Sequence, residues 1–470
     1  MTSDEAGTNH YSAFERLLRL FADVKPREGM TCVILISNIF LILTAYYMIK
    51  PVREGWLAIS DIKGLSKLEI KAYSAFAQSL LLVGVMPLYA TLAASITRRK
   101  LIITVGGFFA IALALFWLTQ PGMPMDWIPH IEIVFYLFVG IFSVTLVAQF
   151  WAFSSDLYGP ERGKRLFPIV AVGAAAGAVV GSWLGEQLVQ FEAIEAFDLI
   201  LISIVPLVGA IFLANWSDHR GTYGQPSEWT TSRWDEPAAP SNEGPYKLIL
   251  KHRYLTATAL MMLVFSWVVA SGDNILFGLV QENLRLELGA LASDPEAFAN
   301  ALREATTVFY GGLYFWVNLA SLILQAFFVS RILRFGGMRM LLLTTPFISL
   351  VAYATMAIAP ILGLIKIMKV AENSSNYSVN NTARHMLWLP TTKEMLYQAK
   401  PTVDSLFVRL GDGFAALTIL IGTRVVKLSN QDFIFINIAL VLVWVALSVY
   451  LYNENRRWSR VHENVASVPT

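Results

Sequence analysis

Long uncharged runs constrain this chain more than any other feature. A helix needs roughly twenty predominantly apolar residues to cross about 30 Å of hydrocarbon. Runs of that kind fall at 30 to 49, 72 to 95, 101 to 119, 131 to 155, 166 to 189 and 195 to 215, then at 254 to 281, 308 to 330, 338 to 358, 360 to 382, 403 to 424 and 432 to 452. Hydrocarbon offers no water to backbone N–H and C=O groups, so segments that close their own hydrogen bonds are favoured. The expected fold class is all-α and integral to the membrane, with twelve transmembrane helices in two six-helix pseudo-symmetric bundles. Composition agrees, since 56% of the 470 residues are hydrophobic and only 15% charged, more apolar than soluble domains usually are.

The two sixes are separated by a polar interval containing QPSEWTTSRWDEPAAPSNEGP, rich in Pro, Ser and charge, which reads as a linker. The expected organisation is a cytoplasmic segment 1–29, a bundle 30–215, a linker 216–252, a second bundle 253–452 and a cytoplasmic tail 453–470. About 24 of the 36 Lys and Arg lie in the termini, the linker and the even-numbered connections, which places those parts in the cytoplasm of a multi-pass inner-membrane protein. The connection after the first span is the exception, with Lys50, Arg53, Lys63, Lys67 and Lys71 on the nominally outer side. No small-residue cleavage pattern follows the first apolar run, so that run is expected to be retained. A net charge of +2, with most basic residues in short loops near hydrophobic runs, gives no reason to expect nucleic acid as a partner. Cys32 is the single cysteine, which excludes an intramolecular disulfide and a thiolate metal site. With no Walker sequence, HExxH spacing or nucleophile elbow, neither an enzyme nor a cofactor or metal is expected. The expected partners are lipid and a small anionic solute, and the expected state is a monomer.

The candidate chemistry lies within the spans. In LIKIMKVAENSSNYSVNNTAR, from Leu364 to Arg384, the residues Lys366, Lys369, Asn373, Asn376 and Asn380 recur at steps of three and four and so share one helix face. A lysine at mid-bilayer costs roughly 2.5 to 3.5 kcal/mol on insertion scales, so such a face turns toward a bundle interior or a solute path. An interhelical hydrogen-bonding seam is the competing reading, though amides alone would serve it. In AYYMIKPVREGWLAIS, Pro51 is expected to interrupt the first span, with Lys50, Arg53 and Glu54 at its end. In SWVVASGDNILFG, Gly272 and Asp273 stand at a corresponding place in span seven. Paired interruptions of this kind point to a transporter's central site, although Lys50 and Arg53 could instead snorkel to headgroups and Asp273 could cap a broken helix. Arg409 and Asp412, three apart in span eleven, can pair with each other or meet the solute. Glu54, Glu372 and Asp412, with Asp156 and Arg165 in the turn after span four, are candidates for proton carriage or gating. Gly173, Gly177, Gly181 and Gly185, four apart in span five, read as a close-packing face.

Basic turns before apolar helices, SITRRKLIITVG after span two and SRILRFGGMRMLLLTTP after span eight, occupy matching positions and resemble loops of the major facilitator superfamily. Three stretches resemble the ATP/ADP translocase family of nucleotide transporters. They are IKPVREGWL, FWAFSSDLYGPERGKRLFPIVAVGAAAGAVVG from Phe150 to Gly181, and NYSVNNTARHMLWLPTTKEMLYQAKPTVDSLFVRLGDG from Asn376 to Gly413. The resemblance implies a major-facilitator-like fold and ATP/ADP exchange. It puts Arg53 and Lys393 on functional lysines, Lys50 on an adjacent basic position and Asp273 near a functional glutamate. The family's glutamate early in span four falls near Val139 or Gly140 here.

The residues together imply a secondary transporter whose cations Lys50, Arg53, Lys366, Lys369, Lys393 and Arg409 hold an anionic solute. Like charges in an empty cleft would resist closure, which favours exchange. A proton-coupled carrier of another organic or phosphorylated anion, and a non-transporting scaffold or sensor, are the alternatives.

Overall fold

The computed structural model describes residues 28–190, 194–221, 245–291, 293–392, 395 and 399–466. No strand occurs among them. The first half holds α1 (Gly29–Ile59), α2 (Lys67–Ser95), α3 (Arg98–Trp117), α4 (Ile131–Gln190) and α5 (Asp198–Gly221). The second holds α6 (Arg253–Glu287), α7 (Pro295–Ile323), α8 (Val329–Ile358), α9 (Leu362–Ser375), α10 (Asn381–Met386), α11 (Val408–Ile421) and α12 (Asn430–Ala466), with short helices Pro245–Lys251 and Lys400–Thr402 beside them.

Ten helical stretches among the described residues are long and apolar enough to cross a bilayer. Helix α4 contributes two, Ile131–Ser155 and Arg165–Gln190. Another, Pro295–Ile358, is 64 residues long and bends at Gly337, whose backbone sits at φ 59°, ψ −158°, so it also serves as two spans. The twelfth is α9 with its continuation through α10, which carries too much charge to qualify by apolarity. The described residues form an all-helical fold with the long apolar spans of a multi-pass membrane protein.

Several boundaries differ from the sequence expectation, and all in the same direction. Pro51 lies inside α1, which runs unbroken to Ile59. Gly272 and Asp273 lie inside a continuous α6. Neither span is interrupted, because opening a helix in lipid exposes several backbone groups whereas one proline forfeits a single bond. The edges expected to be linker are helical where described: α5 runs to Gly221 and Pro245–Lys251 forms two turns, while residues 222–244 lie outside the described set. Helix α12 extends well into the expected tail.

The chain forms two compact units. One comprises residues 1–53, 84–131 and 138–226; the other comprises 54–83, 132–137 and 227–470. In the first unit the four-residue glycine face packs as expected. A Cβ on Gly173 would lie 2.6 Å from Ile36 O and one on Gly181 2.5 Å from Thr44 O, while Gly177 faces Phe40 O and Gly185 faces Met48. Partner numbers rise together, so the two spans run parallel with their backbones nearly touching. Thr44 Oγ1 uses that proximity to donate to Gly177 O at 3.3 Å as well as to its own Phe40 O at 2.8 Å. In the second unit α12 lies antiparallel to α6, with Asn437 Nδ2 donating to Val268 O and Asn455 Nδ2 to Tyr254 Oη.

Candidate functional site

Charged side chains in the second unit gather in three clusters. The most enclosed is built on α9. Lys369 is completely buried, and its ammonium lies 2.7 Å from Glu372 Oε2 and 3.5 Å from Asp273 Oδ1 on α6. Tyr353 of α8 donates its hydroxyl to the other Glu372 oxygen, Oε1, at 2.8 Å. Both oxygens of Glu372 thus have a donor, which is what a buried carboxylate requires. Asp273 differs, with 51% of its side chain exposed midway along an apolar helix. An exposed carboxylate at that depth belongs against water rather than acyl chains.

Gly272 makes this arrangement possible. A Cβ there would collide with Tyr353 Oη and come within 3.2 Å of Lys369 Nζ, so the missing side chain lets the tyrosine and the lysine press against the α6 backbone beside Asp273.

Below this cluster the polar face continues as expected. Asn373, Asn376 and Asn380 are buried, and Asn380 Nδ2 donates to Asn376 Oδ1 at 2.9 Å. The span is neither broken nor regular, since α9 passes through a π-helical turn at Asn376–Asn380 before α10. Such a turn disturbs the i to i−4 ladder, and hydroxyls reach the carbonyls just before it. Ser321 donates to Ser374 O, Thr345 to Ser375 O and Ser378 to Ser374 O. π-Turns within α-helices recur at functional sites. Lys366 is half-buried, with its ammonium 5.4 Å from the Phe309 ring.

A second cluster surrounds Glu54, which is fully buried and ion-paired with Lys71. The Lys71 ammonium also lies 4.5 Å from the Tyr136 ring and 5.4 Å from the Phe277 ring. Lys67 donates to Ser60 O. The unexpected excess of lysine after the first span is thereby explained in part, because Lys71 is neutralised inside the protein and carries no topological signal.

The third cluster runs along α2 and α11. Arg409 pairs with Asp412 at 3.0 Å, one of the two roles their spacing allowed, and Ser79 and Ser266 each donate to Asp412 at 2.8 Å. Where α11 continues into the π-helical turn Gly422–Val426, Glu69 of α2 accepts from Arg424 Nε at 2.6 Å and from Thr423 Oγ1 at 3.1 Å. Gly411 lets α11 lie close against α6 beside Ser266, since a Cβ there would sit 2.5 Å from Leu263 O.

In the first unit Lys50 and Arg53 are buried rather than snorkelling. The Lys50 ammonium lies 5.1 Å from the Tyr47 ring and 5.7 Å from that of Tyr46. Arg165 binds Glu28 through two parallel hydrogen bonds of 2.9 and 3.1 Å. Lys393 and the side chain of Asp156 lie outside the described residues. Among the described residues no group of three or more His, Cys, Asp or Glu is placed to hold a metal ion.

The sequence expectation missed Tyr353, Lys71, Ser79, Glu69 and Arg424. Only the surplus of lysine before span two signalled any of them. It also took Lys369 as a cation open to solute, whereas the structure gives it two carboxylate partners. Spacing within α9 offers Glu372 as a neighbour, but Asp273 is brought there by packing from almost a hundred residues away.

These features define an all-helical membrane protein of the major facilitator fold with charged clusters buried in its spans. No protein-family model matches the sequence. The ADP,ATP carrier protein 1 of Chlamydia pneumoniae is 19% identical over 309 residues, covering 58% of this chain and 57% of that protein, so the match spans little more than half of the relative. Among solved structures, a bacterial homologue of the human lysosomal transporter Spinster, inward-facing and unoccupied, aligns with a TM-score of 0.55 at 14% identity, covering 93% of this chain and 99% of the other. A bacterial homologue of the iron transporter ferroportin in its inward-facing state aligns with a TM-score of 0.59 at 14% identity, covering 90% and 98%.

Proposed function

We propose that the chain is a secondary transporter of the bacterial inner membrane, with cytoplasmic termini, that moves an anionic solute by alternating access, and that the solute is a nucleotide of the ATP/ADP type. One observation carries the anion site: Lys369, wholly enclosed in a transmembrane helix, is shared with Asp273, a half-exposed carboxylate that needs a hydrated cavity beside it. The buried amides Asn373, Asn376 and Asn380 extend the same face with donors and acceptors suited to a polar solute. Lys50 with its two tyrosine rings offers a cation beside aromatic surface, a combination suited to phosphate and base. The similarity to the Chlamydia pneumoniae ADP,ATP carrier supports the nucleotide assignment.

Proteoliposomes test this reading. Vesicles loaded with ADP are expected to take up labelled ATP faster than empty vesicles or vesicles lacking the protein. Equal uptake in all three would remove the nucleotide assignment. The case for obligatory exchange is weaker than the sequence implied, because Lys369 is already neutralised and does not repel other cations in the empty protein.

A further inference from the structure

We propose that Arg384 is a further anion-binding residue, gripping a phosphate or carboxylate group of the solute with its guanidinium. The inference rests on the anion-carrier reading above and adds a cation at the far end of its polar face.

Arg384 lies four residues beyond Asn380 in α10, so it prolongs the row of Lys366, Lys369, Asn373, Asn376 and Asn380. That row runs antiparallel along α6. At one end Lys369 Nζ lies against Gly272, and at the other Tyr254 donates its hydroxyl to Leu387 O. Arg384, almost one turn before Leu387, reaches inward, and its guanidinium lies 5.1 Å from the Phe265 ring of α6. Phe265 is buried and held in turn by Trp444 of α12, with ring centroids 5.4 Å apart. A snorkelling arginine would point away from such a platform, toward the headgroups.

What this guanidinium lacks is an acceptor. Among the described residues it makes no hydrogen bond or ion pair, and its Nε is shut off from solvent without a partner. A ring face attracts the cation but leaves its five N–H groups without oxygen acceptors. Buried charges are ordinarily paired, yet Asp404, the carboxylate that acts on Arg384 electrostatically, is ion-paired with Lys400 instead. Lys369 is the contrast, since it holds Glu372 and lies close to Asp273. The row is therefore closed by carboxylates at the Lys369 end and lacks them at the Arg384 end, where the arginine is partly exposed. A solute anion is repelled from the first and drawn to the second. The planar fork of a guanidinium matches two oxygens of one phosphate or carboxylate, and stacking on Phe265 holds that fork in place. Asn376 and Asn380, next along the row, offer donors and acceptors to the uncharged part of the solute.

The test uses purified full-length protein in nanodiscs of phosphatidylcholine, with ATP, pyrophosphate and inorganic phosphate as probes in titration calorimetry and thermal melting. Arg384→Met is expected to weaken anion binding about tenfold or more, the loss of hydrogen bonds to a charged group. Arg384→Lys keeps the charge without the fork and should fall between. Because Arg384 has no hydrogen-bond partner to abandon, Arg384→Met without anion is expected to melt no lower than wild type. Arg334, exposed in the turn after α7, supplies the control, and Arg334→Gln should bind as wild type does. Anion binding by Arg384→Met at wild-type affinity overturns the proposal and leaves the carrier reading standing. Failure of Arg384→Met to fold makes the arginine structural and also overturns it. A parallel series in nanodiscs containing phosphatidylglycerol identifies a lipid source: stabilisation that depends on Arg384 there, with no response to the soluble anions, puts a headgroup in the site and removes the solute. If pyrophosphate binds through Arg384 and ATP does not bind, the nucleotide assignment falls and the anion site stands. If no anion binds wild type in either lipid, both fall.

Discussion

Lys369 shows how a charge can be stable in a place that lipid alone would forbid. Its burial is complete, and it is held by Glu372, whose second oxygen is held by Tyr353. Removing one member of such a pair leaves an uncompensated buried charge, which costs about 3 to 5 kcal/mol, whereas removing both can be close to neutral. Lys369→Met is accordingly expected to lower the thermal unfolding midpoint in detergent by several degrees. The double variant Lys369→Met with Glu372→Gln should recover most of that loss. A double variant as unstable as the single one would mean that the pair does not act as a unit. Tyr353→Phe removes a hydrogen bond to a charged group, worth about 1.5 to 3 kcal/mol, and should fall between the two.

At the scale of helices, packing is governed by where side chains are absent. The glycine face of α4 lies on α1, but not uniformly. A Cβ on Gly181 would be 2.5 Å from Thr44 O, a backbone atom that cannot rotate away, while one on Gly185 would be 3.5 Å from Met48 O, an ordinary contact. Gly181→Ala is therefore expected to destabilise by roughly 1 to 3 kcal/mol through overpacking, and Gly185→Ala to change stability by less than about 0.5 kcal/mol. Thermal melts of the two variants side by side decide it, and equal effects would contradict the register of this helix pair. This face was legible in the sequence because four-residue spacing is a local property of one helix. The π-turn at Asn376–Asn380 was not, since the hydroxyls that meet the neighbouring carbonyls come partly from Ser321 and Thr345 on other helices.

For the whole molecule, the telling feature is that residues 54–83, the end of the first span and the first part of the second, belong to the same compact unit as the C-terminal helices. Glu69 with Arg424 and Thr423, and Ser79 with Asp412, join α2 to the far end of the sequence. Under the proposed alternating access, contacts of this kind would open and close and should be weak enough to do so. Arg424 is 45% exposed, so its ion pair is expected to contribute less than about 1 kcal/mol. Arg424→Ala should leave the unfolding midpoint nearly unchanged while altering the rate of solute counterflow several-fold. A large loss of stability with unaltered transport would make the contact a structural fixture.

Much of this protein follows from its sequence alone. The apolar spans and the polar face from Lys366 to Asn380 are encoded by spacing along single helices, because hydrocarbon leaves a chain of this composition few other ways to satisfy its backbone. Tertiary structure decided which charges meet. Asp273, Tyr353 and Lys369 come from three helices, and Glu69 and Ser79 of α2 meet Arg424 and Asp412 from more than three hundred residues away. Electrostatic energy depends on separation in space, so whether a buried lysine is an open anion site or a guarded one could be settled only by the helices that pack around it.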